Sequence, residues 1–258
     1  MTLSTLQRNH LDYALRMNGY HIECKAEGDW VAADATFAPG RCFLAYREIG
    51  SNVVLIATSL PHVAKAFSEE GAAMATEIPL PSGAVAAFTT DTTNLHAAVH
   101  RIYELSRSLP SAPLDRFRDK TRELPATTEA ECLVVQRVGQ DIFREAQMDF
   151  WSGQCAITGL DQPEMLRASH MKPWATCETD AERLDPYNGL LLSVHWDAAF
   201  DSGLVTFEDD GAVRPSNRLS PSARQLLMPS AGAETRVSSL KAGHLPYLRY
   251  HRENVWRD

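Results

Sequence analysis

The chain has 258 residues, of which 44% are hydrophobic and 22% are charged, which is typical of a globular protein with one large core or two ordinary domains. Its apolar runs are too short to span a bilayer, and its first residues lack the basic and apolar regions of a signal peptide, so we expect a cytoplasmic protein with no membrane partner. A net charge of −8 excludes an overall basic surface, but it leaves room for a local basic face or for a cation that offsets acidic ligands.

The first 110 residues predict a compact α+β domain. Helical and strand-like patterns are separated there by Gly and Asn residues, and no catalytic set of side chains is visible among them. In chain order, the predicted elements are a helix at 6–17, strands at 30–33, 42–46 and 53–57, a short helix at 62–68, a strand at 84–88 and an amphipathic helix at 94–109.

A change of composition follows this domain. Residues 110–127 contain three prolines and a run of mixed charge, which favours an interdomain linker. The sequence therefore predicts a domain at 1–110, a linker at 111–127 and a second domain at 128–258.

The second domain begins with a long helix. Thr128 can cap a helix that runs to about Phe150, and Glu129 and Glu131 fall in its first turn, where the helix dipole favours acidic side chains. The predicted elements after it are a strand ending at His170, a buried strand at 190–192, a helix between Ser193 and Gly203, a hairpin at 204–214 and a helix at 220–228.

One segment of the second domain suggests a chemistry. A strand ends on His170, the following loop carries Asn188, and the next helix carries His195, Asp197 and Asp201. A neutral imidazole can take a proton from water near pH 7, and carboxylates can hold a divalent cation. These side chains can therefore activate a water, fix a loop and bind a metal ion.

This segment resembles HNH nucleases, in which strand, loop, strand and helix form a ββα-metal unit. The phrases that carry the resemblance are Cys-Ala-Ile-Thr-Gly at 155–159, Arg-Ala-Ser-His-Met-Lys-Pro-Trp at 167–174, Asn-Gly-Leu-Leu-Leu at 188–192 and the closing segment 247–253. They are similar to the HNH branch found in bacterial restriction-type endonucleases, and the resemblance covers about residues 130 to 258. It implies a C-terminal HNH ββα-metal nuclease domain, which would follow the N-terminal α+β domain that the residue patterns predict.

The resemblance implies roles for two side chains. His170 corresponds to the family's general base, which activates the water that attacks the phosphodiester. Asn188 corresponds to the middle residue of the motif, which holds the loop so that the base is oriented, or lies near the metal. An Asn-Gly pair is also an ordinary tight turn, and both interpretations can hold at once.

The helix supplies the expected metal ligands. Asp197 and Asp201 are four residues apart and share one helix face, where their charges repel unless a cation is bound. His195 and Asp197 are separated by about 200° around a helix, so both reach one ion only if His195 precedes the helical turn. In this family branch the two positions form a His/Asp pair in either order, and Asp197 stands where many HNH proteins have a histidine. The resemblance implies Mg²⁺ or Mn²⁺ as the cofactor.

Two departures from the family pattern bear on the site. Many HNH proteins have an acidic residue or a second histidine just before the base, and here that residue is Ser169, a poor ligand. Many also bind structural zinc through two C-x-x-C pairs, whereas this chain has five scattered cysteines and no such pair. The unit is therefore expected to be held by packing, through Trp174, Leu190, Leu192, Phe200 and Leu204.

We therefore predict a metal-dependent DNA endonuclease that acts in restriction or anti-phage defence. DNA is the expected partner, with Arg167, Lys172 and Arg183 as candidate phosphate contacts. The domain at 1–110 is expected to recognise a target or a signal, by analogy with other nuclease architectures. Cutting both strands needs two active sites, so a homodimer is expected. The alternatives are a non-catalytic DNA- or ligand-binding protein with a relict ββα unit, and a nuclease gated by a ligand of the first domain.

Overall fold

The chain folds into two compact units, Met1–Ala112 and Pro113–Asp258. The computed structural model describes residues 3–24, 28–48, 51–76, 78–109, 111–125, 127–228, 235–237 and 239–258. Both units contain helices and strands, so the predicted α+β class is confirmed. Within the described ranges, every helix is too short or too polar to cross a membrane.

The first unit is built around an antiparallel sheet whose strands pair in chain order. The strands are β1 (Ile22–Cys24), β2 (Val31–Asp34), β3 (Arg41–Tyr46), β4 (Val53–Thr58) and β5 (Ala86–Asp91). The helices that pack on it are α1 (Thr5–Met17), α2 (Pro61–Glu69) and α3 (Leu95–Ser108).

The two faces of this sheet bury different side chains. Phe88 packs edge-on against Phe67 of α2, and its cross-strand partner Ile56 shares that face. The alternate residues Phe43 and Ala57 belong to a second apolar cluster, on the opposite face. Burial on both faces explains why β3 and β4 are apolar along most of their length.

The predicted elements of this unit are confirmed, with β1 as an addition. Ser4 caps α1 through a capping box with Gln7, and Asn18 and Gly19 end the helix as predicted. β1 has only three residues, Ile-Glu-Cys, and this is too short an alternation of apolar and polar residues for a strand to be recognised from sequence.

The segment assigned to a linker contains a helix, α4 (Ala112–Thr121). Its Phe117 is buried with Ile142 and Phe143 in an apolar cluster of the second unit. Pro113, which favoured a linker, lies in the first turn of α4, where proline is tolerated. Most of this stretch is therefore folded rather than an extended spacer, and Pro110 lies outside the described residues.

The second unit contains the predicted elements in the predicted order, together with two helices, 180–184 and 245–254, that were not predicted. The elements are α5 (Glu129–Phe150), β6 (Leu166–His170), α6 (Asp180–Leu184), β7 (Gly189–Ser193), α7 (Val194–Asp201), β8 (Val205–Phe207), β9 (Val213–Pro215), α8 (Pro221–Leu227) and α9 (Leu245–Asn254). β6 pairs with β7, and β8 pairs with β9. Thr128 caps α5 through a capping box with Glu131, as the sequence predicts.

Candidate active site

β6, β7 and α7 form the predicted strand–loop–strand–helix unit. His170, at the end of β6, lies opposite Gly189, at the start of β7, and α7 begins directly after β7. Neighbouring strand residues point to opposite faces. Ser169 accordingly bonds Asp201 of α7, whereas His170 packs against Phe143 of α5. The candidate base and the candidate ligands therefore lie on opposite sides of the end of one strand.

The His170 ring is enclosed by two aromatic rings and a carbonyl group. It stacks on Phe143 at 3.7 Å and 18°, and Trp174 meets its edge at 5.7 Å. Its Nε2 atom lies 2.8 Å from the carbonyl oxygen of Arg183. Because a carbonyl only accepts hydrogen bonds, the proton must sit on Nε2, and Nδ1 is the basic nitrogen.

This enclosure keeps His170 neutral at pH 7. Burial lowers the pKa of His170 from 6.5 to about 4, while the hydrogen bond to the Arg183 carbonyl acts in the opposite direction. A neutral imidazole with a free lone pair on Nδ1 can accept a proton from water, which is what a general base requires.

Asn188 is wholly buried and joins two segments of the loop. Its Oδ1 accepts from the Lys172 amide at 2.8 Å, and its Nδ2 donates to the carbonyl oxygens of Lys172 and Glu182 at 3.2 and 3.1 Å. These bonds hold the chain directly after His170. They match the loop-holding role rather than that of a metal ligand, and the extended Gly189 that follows, at φ −146°, is not in a tight turn.

Asn188→Ala is expected to lower the free energy of unfolding of the second unit by about 1–3 kcal/mol, because it leaves the Lys172 amide and two carbonyls without their buried partner. Urea unfolding followed by fluorescence measures this. Asn254→Ala is the matched control, since Asn254 is exposed and makes a single bond to the Tyr250 carbonyl. Equal losses in the two variants would contradict the loop-holding role.

Asp197 and Asp201 form an acidic pair on α7 in which both carboxyls have a raised pKa. Ser169 Oγ donates to Asp201 Oδ1 at 3.1 Å and also lowers the pKa of Asp197. Partial desolvation of the carboxyl groups nevertheless raises the pKa of both, although Asp201 is exposed as a whole residue, and the charge of Asp197 raises the pKa of Asp201 further. A bound cation would favour the ionised form of both carboxyls and offset the repulsion that Asp197 exerts on Asp201.

His195 lies apart from this pair. It is the second residue of α7 and is exposed to solvent. Since it lies inside the helix, its side chain points about 200° away from Asp197, and the two cannot converge on one ion. Metal binding by this helix would therefore rest on Asp197 and Asp201.

The donor set suits a hard cation. No cluster of three or more His, Cys, Asp and Glu side chains arranged to hold a metal occurs in the described ranges. The two carboxylates supply oxygen ligands, and Mg²⁺ commonly binds through one or two carboxylates and keeps several waters. Asp197 and Asp201 thus fit Mg²⁺ or Mn²⁺ better than a thiolate- or imidazole-seeking metal.

The three side chains predicted to contact phosphate differ in their exposure and in how many bonds they already make within the protein. Lys172 is bonded to both oxygens of Glu182 at 3.0 Å, and its side chain is only 13% exposed. Arg183 binds Asp180 and two backbone carbonyls. Arg167 is exposed and bonds carbonyl oxygens through NH1 alone. Lys172 and Arg183 therefore stabilise the loop, and Arg167 is the most accessible cation of the three.

Asp185 and Tyr247 were not singled out from the sequence, although they also fix the loop. Asp185 accepts from the Tyr187 amide and from the Tyr247 hydroxyl, both at 2.9 Å, and burial raises the pKa of Asp185. The sequence signals were indirect: Tyr247 opens the closing segment 247–253, and Asp185 lies three residues before the phrase at 188–192. Their contact ties α9 to the turn that precedes Asn188.

Comparison with known protein families gives a match to the segment that contains this site. The family model described as HNH endonuclease matches residues 155–208, which include β6, β7 and α7. A comparison with curated proteins gave no significant match. The match covers the ββα part of the second unit. More specifically, residues 155–208 match the HNH endonuclease family that the resemblance implied.

Proposed function

We propose that the protein is a metal-dependent DNA endonuclease whose base is His170. The observation that carries the proposal is a neutral imidazole with its basic nitrogen defined, on the same short ββα unit as two neighbouring carboxyls whose pKa values are both raised. The matched HNH endonuclease family supports hydrolysis of a phosphodiester and DNA as the substrate.

The residues of the chain divide the work. His170 Nδ1 takes the proton of the attacking water, and the Arg183 carbonyl stabilises the imidazolium through Nε2–H. Asp197 and Asp201 would hold the cation, which would neutralise charge on the phosphate and the leaving oxygen. Because residues 169 and 170 face opposite sides of β6, we propose that the phosphodiester lies across the end of this strand.

Asp197→Asn and Asp201→Asn are each expected to weaken Mn²⁺ binding about tenfold or more, because each removes one anionic ligand. Titration calorimetry with Mn²⁺ measures the affinity. His195→Ala is the matched control on the same helix and is expected to bind Mn²⁺ like the unsubstituted protein. A loss in His195→Ala equal to that in Asp197→Asn would show that the ligand assignment is wrong.

We also propose that the first unit recognises a target or a signal. The observation that supports this role is an open surface depression of about 380 Å³, which has room for a small ligand. Asp34 and Arg41 line it as a two-bonded ion pair at 2.8 and 3.0 Å, beside Phe43 and Ser59. A guanidinium already paired with a carboxylate suits a small polar ligand better than a DNA phosphate, which favours a gated nuclease as the second candidate.

Cleavage assays on modified and unmodified DNA, in Mg²⁺ and in Mn²⁺, test the proposal as a whole. Cleavage confined to one class of DNA supports a restriction or anti-phage role, and protection of an expressing host against phage tests that role directly. DNA binding without cleavage in any metal would favour the non-catalytic alternative. Light scattering with and without DNA tests the proposed homodimer, which double-strand cutting calls for.

A further inference from the structure

Helix α5 lies outside the residues matched by the HNH endonuclease model, yet two of its side chains reach the catalytic loop. Phe143 and Gln147 lie one helical turn apart and are 1% and 0% exposed. Phe143 stacks on the His170 ring. Gln147 Nε2 donates to the Pro186 carbonyl at 2.8 Å, and its Oε1 accepts from the indole N–H of Trp151, the residue directly after the helix, at 3.1 Å. The helix thus touches both the candidate base and the turn that carries Asn188.

Gly189 makes this approach feasible. A Cβ atom at Gly189 would lie 2.5 Å from Cζ of Phe143 and 2.6 Å from Nε2 of Gln147, closer than real Cβ contacts. The glycine is not required by its backbone, because its φ of −146° is ordinary extended geometry. Its missing side chain therefore serves the close packing of α5 against the end of β6.

We infer that Phe143 is a positioning residue for the catalytic base, whose ring fixes the plane of the His170 imidazole and excludes water from one face. Gln147 holds the adjoining turn, and Gly189 leaves the space that both side chains need. This inference rests on the proposed function, in that His170 is the base.

Burial, rather than a nearby charge, sets the properties of this histidine. Among the described residues, burial lowers the pKa of His170 and the Arg183 carbonyl raises it, and no charged side chain contributes to the shift. The charged groups on the surrounding elements are bonded elsewhere: Arg144 to carbonyls of β6 and the preceding turn, Lys172 to Glu182, Arg183 to Asp180, and Asp185 to Tyr247. Replacing the Phe143 ring is therefore expected to act by admitting water.

The test is Phe143→Leu, with two measurements. NMR titration of the His170 ring in metal-free protein is expected to show its pKa rising by one unit or more from about 4. The acid limb of kcat/KM for DNA cleavage should move upward by the same amount. If the pKa reaches about 6, roughly a tenth of the base is neutral at pH 5, so cleavage at pH 5 relative to pH 8 falls about tenfold.

Phe150→Leu is the matched control. It removes a buried ring from the same helix, but that ring contacts Trp151, Tyr187 and His244 and not His170. It should lower stability without moving the His170 titration or the pH profile. If Phe143→Leu does not fold, Gly189→Ala provides the second variant, since its methyl group must displace the Phe143 ring while the ring remains in the protein.

The outcomes separate the two proposals. An unchanged His170 titration in folded Phe143→Leu, or an equal shift in Phe150→Leu, overturns the positioning role. A shifted titration in a protein that cuts no DNA supports the positioning role of Phe143 and contradicts the proposed function. A shifted titration together with a shifted acid limb supports both.

Discussion

His170→Ala is expected to lower kcat for DNA cleavage by about 10²–10⁴-fold in Mg²⁺ or Mn²⁺, the usual contribution of a general base. The substitution removes the basic Nδ1 atom, and among the described residues no second histidine lies on this ββα unit except the exposed His195. Single-turnover cleavage of a labelled duplex measures the effect, because it reports the chemical step without product release.

Metal affinity distinguishes a base from a ligand in this variant. His170 packs against Phe143 on the side of β6 away from Asp201, so His170→Ala should bind Mn²⁺ like the unsubstituted protein. Added imidazole should restore part of the activity if the missing group is a base. Full cleavage by His170→Ala, or a matching loss of Mn²⁺ affinity, would rule out the proposed mechanism.

Much of the fold was predictable because it is written in local patterns. The periodicity of α5, the cap at Thr128 and the strand that ends on His170 are each properties of a short stretch of sequence, and each is confirmed. The resemblance to HNH nucleases supplied the candidate roles. Helix geometry alone also predicted that a helical His195 could not share one metal ion with Asp197, and His195 is the second residue of α7.

The supporting contacts were not predictable, since they join residues that are distant in the chain. Phe143 and His170 are 27 positions apart in the chain, and the Tyr247 hydroxyl bonds Asp185, 62 positions earlier. A periodic pattern shows that Phe143 is buried, but not which ring it meets. Proline content likewise suggested a linker where Phe117 of α4 enters the core, because burial of a helix depends on its partner.

Lowering the pH from 7 towards 4 is expected to decrease the free energy of unfolding of the second unit by more than a change in surface charge alone would. Burial lowers the pKa of His170, His244 and His251 from 6.5 to about 4 in each case. A histidine whose pKa is lower in the folded state stabilises the fold above pH 6.5, and this contribution is lost as the pH falls from 6.5 to about 4. For the fully buried His244 and His251, the shift corresponds to about 3 kcal/mol each.

Urea unfolding at pH 7, 6, 5 and 4.5, followed by tryptophan fluorescence, tests this loss, since four of the five tryptophans lie in the second unit. Part of the loss is offset near pH 4, because burial raises the pKa of Asp185 and the α7 carboxyls and so favours the protonated folded state.

His244→Phe should flatten the pH dependence of the free energy of unfolding. The His244 ring lies among Phe150, Trp151 and Tyr187, and its Nε2 has no hydrogen-bond partner in the described part of the chain. His21→Phe, at an exposed position of the first unit, is the control and should leave the pH dependence of the second unit unchanged. In the unsubstituted protein, a free energy of unfolding that stays constant from pH 7 to 5 would show that the three histidines are not buried as described.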